Sequence, residues 1–242
     1  MPEGPFLINE ESFQQAWIAA AKKLEVSQWE IKNLMVTIQD STLFSKALHQ
    51  KFTKFAEDND ILNPKAVVYT IFPHKLYQTY GDAERLFVAY NRPRGFYERI
   101  KRPHEWGTYF RRMTHYENTS NVENQLFNVI NAINTRERIS SSAYTVVIQK
   151  PGGETIRPLG GPCLNYLAIQ LDRSKNKLGI LAVYRNHDFF VRAYGNYWGL
   201  CNLINFMAKE TNFSSGPLTC VSSHVYLNGN KRNFKRLLDS LP

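Results

Sequence analysis

Apolar residues recur at helical spacing in the first stretch of the chain. Phe13, Trp17, Ala20, Ala21 and Leu24 lie on one face of "NEESFQQAWIAAAKKL", with acids at its start, and predict an amphipathic helix. "STLFSKALHQKFTKFAE" repeats the pattern through Leu43, Ala47, Leu48, Phe52 and Phe55, with Ser41 as the N-cap. The β-branched and aromatic runs "KAVVYTIF" and "RLFVAY" predict extended segments. From Asn91 to His115 the chain turns basic with aromatics interleaved, which predicts a surface loop system. "SNVENQLFNVINAI" predicts a third amphipathic helix, with Ser120 and Glu123 as its capping box. After it come a strand in "AYTVVIQ" and a Pro-Gly-Gly loop. "CLNYLAIQLD", "RSKNK" and "LGILAVYR" then read as strand, turn and strand of a hairpin. "NYWGLCNLINFMAKE" is apolar on most sides and predicts a buried helix, "LTCVSSHVYL" a last strand, and "KRNFKRLLDSL" a closing basic helix. With no internal repeat or break in composition, the expectation is a single α+β domain over residues 1–242.

Composition adds three constraints. At 43% hydrophobic and 21% charged, the 242 residues are those of an ordinary globular chain with a sizeable core. The net charge of +9 favours an anionic partner: a phosphorylated small molecule, a nucleic acid or a membrane surface. The three cysteines, Cys163, Cys201 and Cys220, form no CxxC pair and no metal-ligand spacing, so neither a disulfide framework nor a metal site is expected. No apolar run has the length of a membrane span, and "MPEGPFLINEESF" has neither the basic nor the apolar part of a secretory signal. A cytoplasmic protein is expected.

Candidate chemistry centres on Cys163, which opens a strand after a tight turn. Read alone it is either a buried structural thiol or a nucleophile, and a nucleophilic thiolate needs nearby positive charge and some exposure. The hairpin can return Arg185, at the end of the partner strand, to the side of the thiol. Taken singly, Arg185 and Asp188 could be an ion pair, Asn196 a helix cap and His224 a core histidine.

Taken in order, however, the stretch from Gly161 to Asn228 resembles the thymidylate synthase family. Pro162-Cys163 opens a strand, a hairpin leads to Arg185-Asn186-His187-Asp188, and Asn196 follows Asp188 by eight residues. A long helix is next, and His224-Val225-Tyr226 ends a strand. "WGTYFRR", the helix before Asn134 and "RERISSSAY" resemble the family more loosely.

The resemblance implies an α+β fold with a large mixed sheet packed against helices and a homodimer formed through that sheet. It implies a transferase that adds one carbon to C5 of a pyrimidine nucleoside monophosphate, with 5,10-methylenetetrahydrofolate as donor. Cys163 would attack C6 and Tyr109 would lie over the reacting ring. Arg185 would hold the 5′-phosphate and help ionise the thiol. Asn196 would read a uracil-type edge, His224 and Tyr226 would bind the sugar, and Asp188 would meet the pterin. Arg136 and Arg138 would reach the phosphate in the neighbouring subunit. Leu164 stands where the family commonly has His, and "PKAVVYTIFPHKL" carries no acid where the family has a catalytic Glu. Methylation and hydroxymethylation therefore both stay open, as does a nucleotide sensor of the same fold that has lost the chemistry. Nucleic-acid binding through the 91–115 run is the third and least favoured class.

Overall fold

The computed structural model describes residues 5–101, 106–117, 121–135, 140–141, 143–150 and 161–242. The core is a seven-stranded mixed sheet. Its strands are β1 (Phe6–Glu10), β2 (Glu30–Ile38), β5 (Tyr144–Val147), β6 (Leu164–Asp172), β7 (Lys177–Tyr184), β8 (His187–Asp188) and β9 (Ser214–Tyr226). They run in the order β1-β2-β9-β7-β6-β5, and β8 pairs with the end of β9. A small separate hairpin joins β3 (Tyr116–Glu117) to β4 (Val122–Glu123).

The predicted hairpin forms with β6 antiparallel to β7, and β7 runs parallel to β9. One end of the sheet therefore gathers the start of β6, the ends of β7 and β9, and the start of β2. Neither β1 nor β2 was anticipated from the sequence pattern. β1 fully buries none of its five residues and β2 buries only Ile31, Leu34, Val36 and Ile38 of its nine, so their apolar signal is weaker than that of a helix face.

Helix α1 (Phe13–Val26) starts at Ser12, which forms a reciprocal capping box with Gln15. It packs on β1, β2 and α9 (Ala193–Glu210), the long buried helix. A third layer covers α9 from outside: α3 (Pro64–Ile71) crosses it at Gly195 and Gly199. A Cβ on Gly195 would stand 2.6 Å from Val67 Cβ, and one on Gly199 3.0 Å from Ile71 Cβ. Two glycines one turn apart let the helices approach this closely, and α9 is apolar on most sides because it is covered on two.

Four local expectations are corrected. "KAVVYTIF" is helix α3, not a strand: Asn63 caps it, Pro64 occupies its first turn, and Val67, Val68 and Ile71 are its buried face. "RLFVAY" lies in helix α5 (Ala83–Asn91), capped by Asp82, whose side chain accepts from the Arg85 N–H. It follows α4 (His74–Tyr80), which ends at Gly81 with φ +85°. Helix α2 (Lys46–Asp58) is capped by Ser45 and not by Ser41; Ser41 is buried, its hydroxyl 3.2 Å from Asn205 Oδ1 and 3.3 Å from the Gly216 carbonyl. Helix α8 (Gln125–Thr135) begins after Asn124, whose side chain accepts from the Phe127 N–H; Glu123 sits in β4 and Ser120 lies outside the described residues.

The described part of the basic 91–115 run is also more ordered than a loop. It carries α6 (Phe96–Ile100) and α7 (Tyr109–Thr114), with Phe110 and Met113 fully buried. Phe110 packs edge-on against Tyr90 at 4.8 Å, and the Arg111 guanidinium lies 4.8 Å over Tyr97. The interleaved aromatics of this run thus serve largely as core. Helix α10 (Lys231–Asp239) closes the chain, burying Phe234, Leu237 and Leu238 under a basic outer face. Among the described residues no helix is long and apolar enough to cross a membrane.

Candidate active site

The Cys163 turn is built by the hairpin. Leu164 pairs with Tyr184, and the Arg185 N–H donates to the Cys163 carbonyl at 2.9 Å. The Arg185 side chain then folds back: its Nε donates to the Pro162 carbonyl at 3.1 Å, and its Nη2 passes beside Gly161, where a Cβ would stand 3.4 Å away. A register shift between Leu164 and Tyr166 breaks the ladder directly after the cysteine, a device that re-aims a side chain at a sheet end. Cys163 is the one half-exposed cysteine; Cys201 and Cys220 are buried.

Tyr109 supports the turn from below. Its hydroxyl accepts from the N–H groups of Cys163 (3.2 Å) and Leu164 (3.4 Å). Burial, with Cys163 nearby, pushes the phenol up to about 12, so it stays protonated. Trp106 packs on Tyr109 at 4.7 Å, and Arg112 fixes Trp106 by donating to its carbonyl and lying over its ring. The "WGTYFRR" stretch thus places one tyrosine, and its arginine Arg112 is buried scaffold that also donates to the Ile148 carbonyl.

Burial raises the Cys163 thiol above its ordinary value, while Arg185 and then Arg192 pull it down and Asp188 pushes it up. Arg185 thus favours the thiolate as expected from the resemblance, but burial outweighs it, and the resting thiol is protonated at neutral pH. Arg192, the residue before α9, was not singled out in the sequence. It carries no motif, and only the path from Asp188 into the helix brings its charge near the thiol.

Asp188 faces the same end of the sheet, paired in register with Tyr226. Its Oδ1 accepts from the N–H groups of Phe190 (2.9 Å) and Val191 (3.4 Å), which steers the chain into α9. Burial raises its carboxyl, with these backbone donors acting in the opposite sense. His224 is half-exposed between two oxygen acceptors, Asn186 Oδ1 at 2.7 Å from Nδ1 and Glu30 Oε1 at 3.2 Å from Nε2. Tyr226 stacks parallel to it at 5.4 Å. Burial first, then Asp188 and Cys163, raise the Tyr226 phenol.

Asn196 lies in the first turn of α9, buried behind this surface. Its Nδ2 is 3.1 Å from His187 Nε2, and His187 Nδ1 is 3.0 Å from Ser222 Oγ. His187 is buried and lies flat on Tyr184 at 4.2 Å; burial pushes its imidazole down to about 3. The neutral ring therefore accepts from Asn196 at Nε2 and donates from Nδ1 to Ser222, which fixes the orientation of the Asn196 amide. The sequence offered His187 only as a filler in the Arg-x-x-Asp spacing; its role as anchor of Asn196 needs the β8–β9 pairing to be seen.

The structure thus brings Cys163, Tyr109, Arg185, Asp188, His224 and Tyr226 to one end of the sheet, with Asn196 just beneath. Arg136 and Arg138 lie outside the described residues. Among the described residues no cluster of three or more His, Cys, Asp or Glu side chains is placed to hold a metal ion. No family model matches the chain, and no curated protein matches it.

Proposed function

We propose that this chain is a divergent member of the thymidylate synthase family that transfers one carbon to C5 of a pyrimidine nucleoside monophosphate, with Cys163 as the nucleophile. The observation that carries the reading is the Cys163–Arg185 arrangement: a half-exposed thiol on a broken strand start, with a guanidinium folded around its turn. Addition of the Cys163 sulfur to C6 moves the C5–C6 π electrons toward O4 and makes C5 a nucleophile. Arg185 is a planar, permanently charged fork suited to a phosphate, and it and Arg192 are the charges that favour the thiolate. Asn196, held by His187, would read the base; His224 and Tyr226 would take the sugar; the protonated Tyr109 would lie against the ring.

Asp188 is the residue that would face a pterin. Its carboxylate is fixed by two backbone donors and suits the N–H groups of that ring, so the donor set fits 5,10-methylenetetrahydrofolate. When bound, the folate supplies the one-carbon unit. The absence of an acid from the segment that is here α3 and the start of α4 favours hydroxymethylation as much as methylation.

A homodimer follows from the same reading. On the second face of the sheet Met35, Val221, Val183 and Tyr166 align in one row and Thr37, Thr219, Leu181 and Ala168 in the next, all half-exposed. A second reading, a nucleotide sensor without turnover, is favoured by the protonated resting thiol.

Release of tritium from C5-labelled UMP, dUMP, CMP and dCMP, with and without the folate, separates the two. Release that disappears in Cys163→Ala supports the transferase and names base and sugar. Tight binding of a nucleotide with no release from any of the four would leave the sensor.

A further inference from the structure

Strand β2 brings to the Cys163 end of the sheet a carboxylate that the sequence did not single out, Glu30. In the body of the strand the buried residues are Leu34, Val36 and Ile38. Asn33 has φ +57°, a left-handed conformation that Asn tolerates, and before it the buried residue is Ile31. Strand β9 changes sides opposite this point: Leu218, Cys220 and Ser222 are buried, and then Val225. Glu30, His224 and Tyr226, which the earlier alternation would bury, are thereby turned outward together.

Glu30 pairs in register with Tyr226, and its Oε1 lies 3.2 Å from His224 Nε2. A carboxylate only accepts, so Nε2 carries a hydrogen directed at Glu30, whichever way the Asn186 amide is turned. Nδ1 is taken up by Asn186 at 2.7 Å, and the ring face by Tyr226 at 5.4 Å. Both nitrogens of His224 are thus committed within the protein. The carboxylate is not: among the described residues only its Oε1 is engaged, and Glu30 is half-exposed.

Two links tie this pair to Arg185. Asn186 is the next residue in the chain, and the Ser223 hydroxyl, beside His224, donates to the Arg185 carbonyl at 2.6 Å. A phosphate on Arg185 therefore has an acceptor-only group, held by a histidine, one strand away across the same face.

We propose that Glu30 selects the sugar, so that the site takes ribonucleoside 5′-monophosphates in preference to their deoxy counterparts. The inference rests on the nucleotide reading above and applies to transferase and sensor alike. His224 orients the carboxylate, and its second oxygen accepts from the ribose hydroxyls. Ribose presents two adjacent O–H donors, and hydrogen bonds to a charged acceptor are the strong ones. A deoxyribose sets a methylene where one donor would stand and leaves the carboxylate short of a partner, the kind of loss by which a polar site rejects an analogue.

Calorimetric titration of UMP, dUMP, CMP and dCMP into wild type, Glu30→Ala and Glu30→Gln tests this. For at least one base the ribonucleotide should bind about tenfold more tightly than the deoxynucleotide. In Glu30→Ala the ratio should fall to about one, chiefly by weakening the ribonucleotide. Glu30→Gln, which keeps the size of the side chain, should lower the ratio too, because a neutral oxygen is the weaker acceptor. A purely structural role would weaken both sugars alike and leave the ratio where it was. Equal binding of the two sugars by wild type, a preference for deoxyribose, or a ratio that survives both variants would overturn the assignment and leave the nucleotide reading standing. Binding of none of the four nucleotides would remove both.

Discussion

Cys163 and His187 are both titratable groups moved off their ordinary values by burial, and each leaves a signature in pH. Because the thiol is raised, its alkylation by iodoacetamide should inflect at a higher pH than that of a free cysteine peptide. Arg185→Ala should move the inflection higher still, since Arg185 is the largest charge acting to lower it. Cys201 and Cys220 are buried, so modification of the native protein should map to Cys163; equal labelling of all three would contradict the site's exposure. His187 acts on stability. The unfolded chain takes up its proton near 6.5, and the folded protein refuses it until pH falls to about 3. Stability from this residue is therefore complete above 6.5 and is lost as pH falls through that window, by about 2 kcal/mol at pH 5. Urea unfolding at pH 7 and pH 5 should show the loss in wild type and a smaller one in His187→Gln; equal losses would show that another group titrates. At Arg185, the side chain expected to hold phosphate, Ala substitution should weaken nucleoside monophosphate binding by about 10- to 100-fold. Lysine should restore only part of it, because a point charge cannot replace the fork. Calorimetric titration decides this, and unchanged affinity would remove Arg185 from the site.

At the scale of elements, the packing of α3 on α9 makes the sharpest claim. Alanine at Gly195 would gain helix propensity of about 1 kcal/mol, yet its Cβ meets Val67 Cβ at 2.6 Å inside a closed interface. The clash should win, with a net loss of about 2 kcal/mol in urea unfolding; a stabilised variant would mean the helices can part. This contact also explains where the sequence misled. "KAVVYTIF" has the composition of a strand, but its buried residues Val67, Val68 and Ile71 follow a helical stripe, and the Asn63-Pro64 start is a helix signal. The glycines that receive this stripe are far away in the chain, so tertiary fit overrode local preference. The hairpin β6–β7, α9, β9 and α10 were legible because period and turn chemistry agreed in each. At the site, Cys163 and Arg185 could be paired from the hairpin alone. Arg192 and His187 could not, because their neighbours come through the β8–β9 pairing and the start of α9.

The whole molecule is a sheet with helices packed on it and, at one end, the half-exposed Cys163 thiol gathered with Arg185, Asp188, His224 and Tyr226. Its second face offers rows of half-exposed Met35, Val221, Val183 and Tyr166, and a dimer through it should sediment as such and dissociate in Val221→Lys. A monomer in wild type at micromolar concentration would remove the partner-subunit part of the reading. Covalent attack by Cys163 is tested most directly by incubating the protein with 5-fluoro analogues of UMP, dUMP, CMP and dCMP together with methylene-tetrahydrofolate, then digesting it and weighing the Cys163 peptide. Once C5 has bonded the one-carbon unit, its fluorine cannot leave as the proton would, so the ring stays attached to Cys163 together with the folate. One analogue should add its own mass plus that of the methylene-folate to the Cys163 peptide and nothing to Cys163→Ala, whereas a bound analogue with an unmodified Cys163 peptide would contradict the nucleophile.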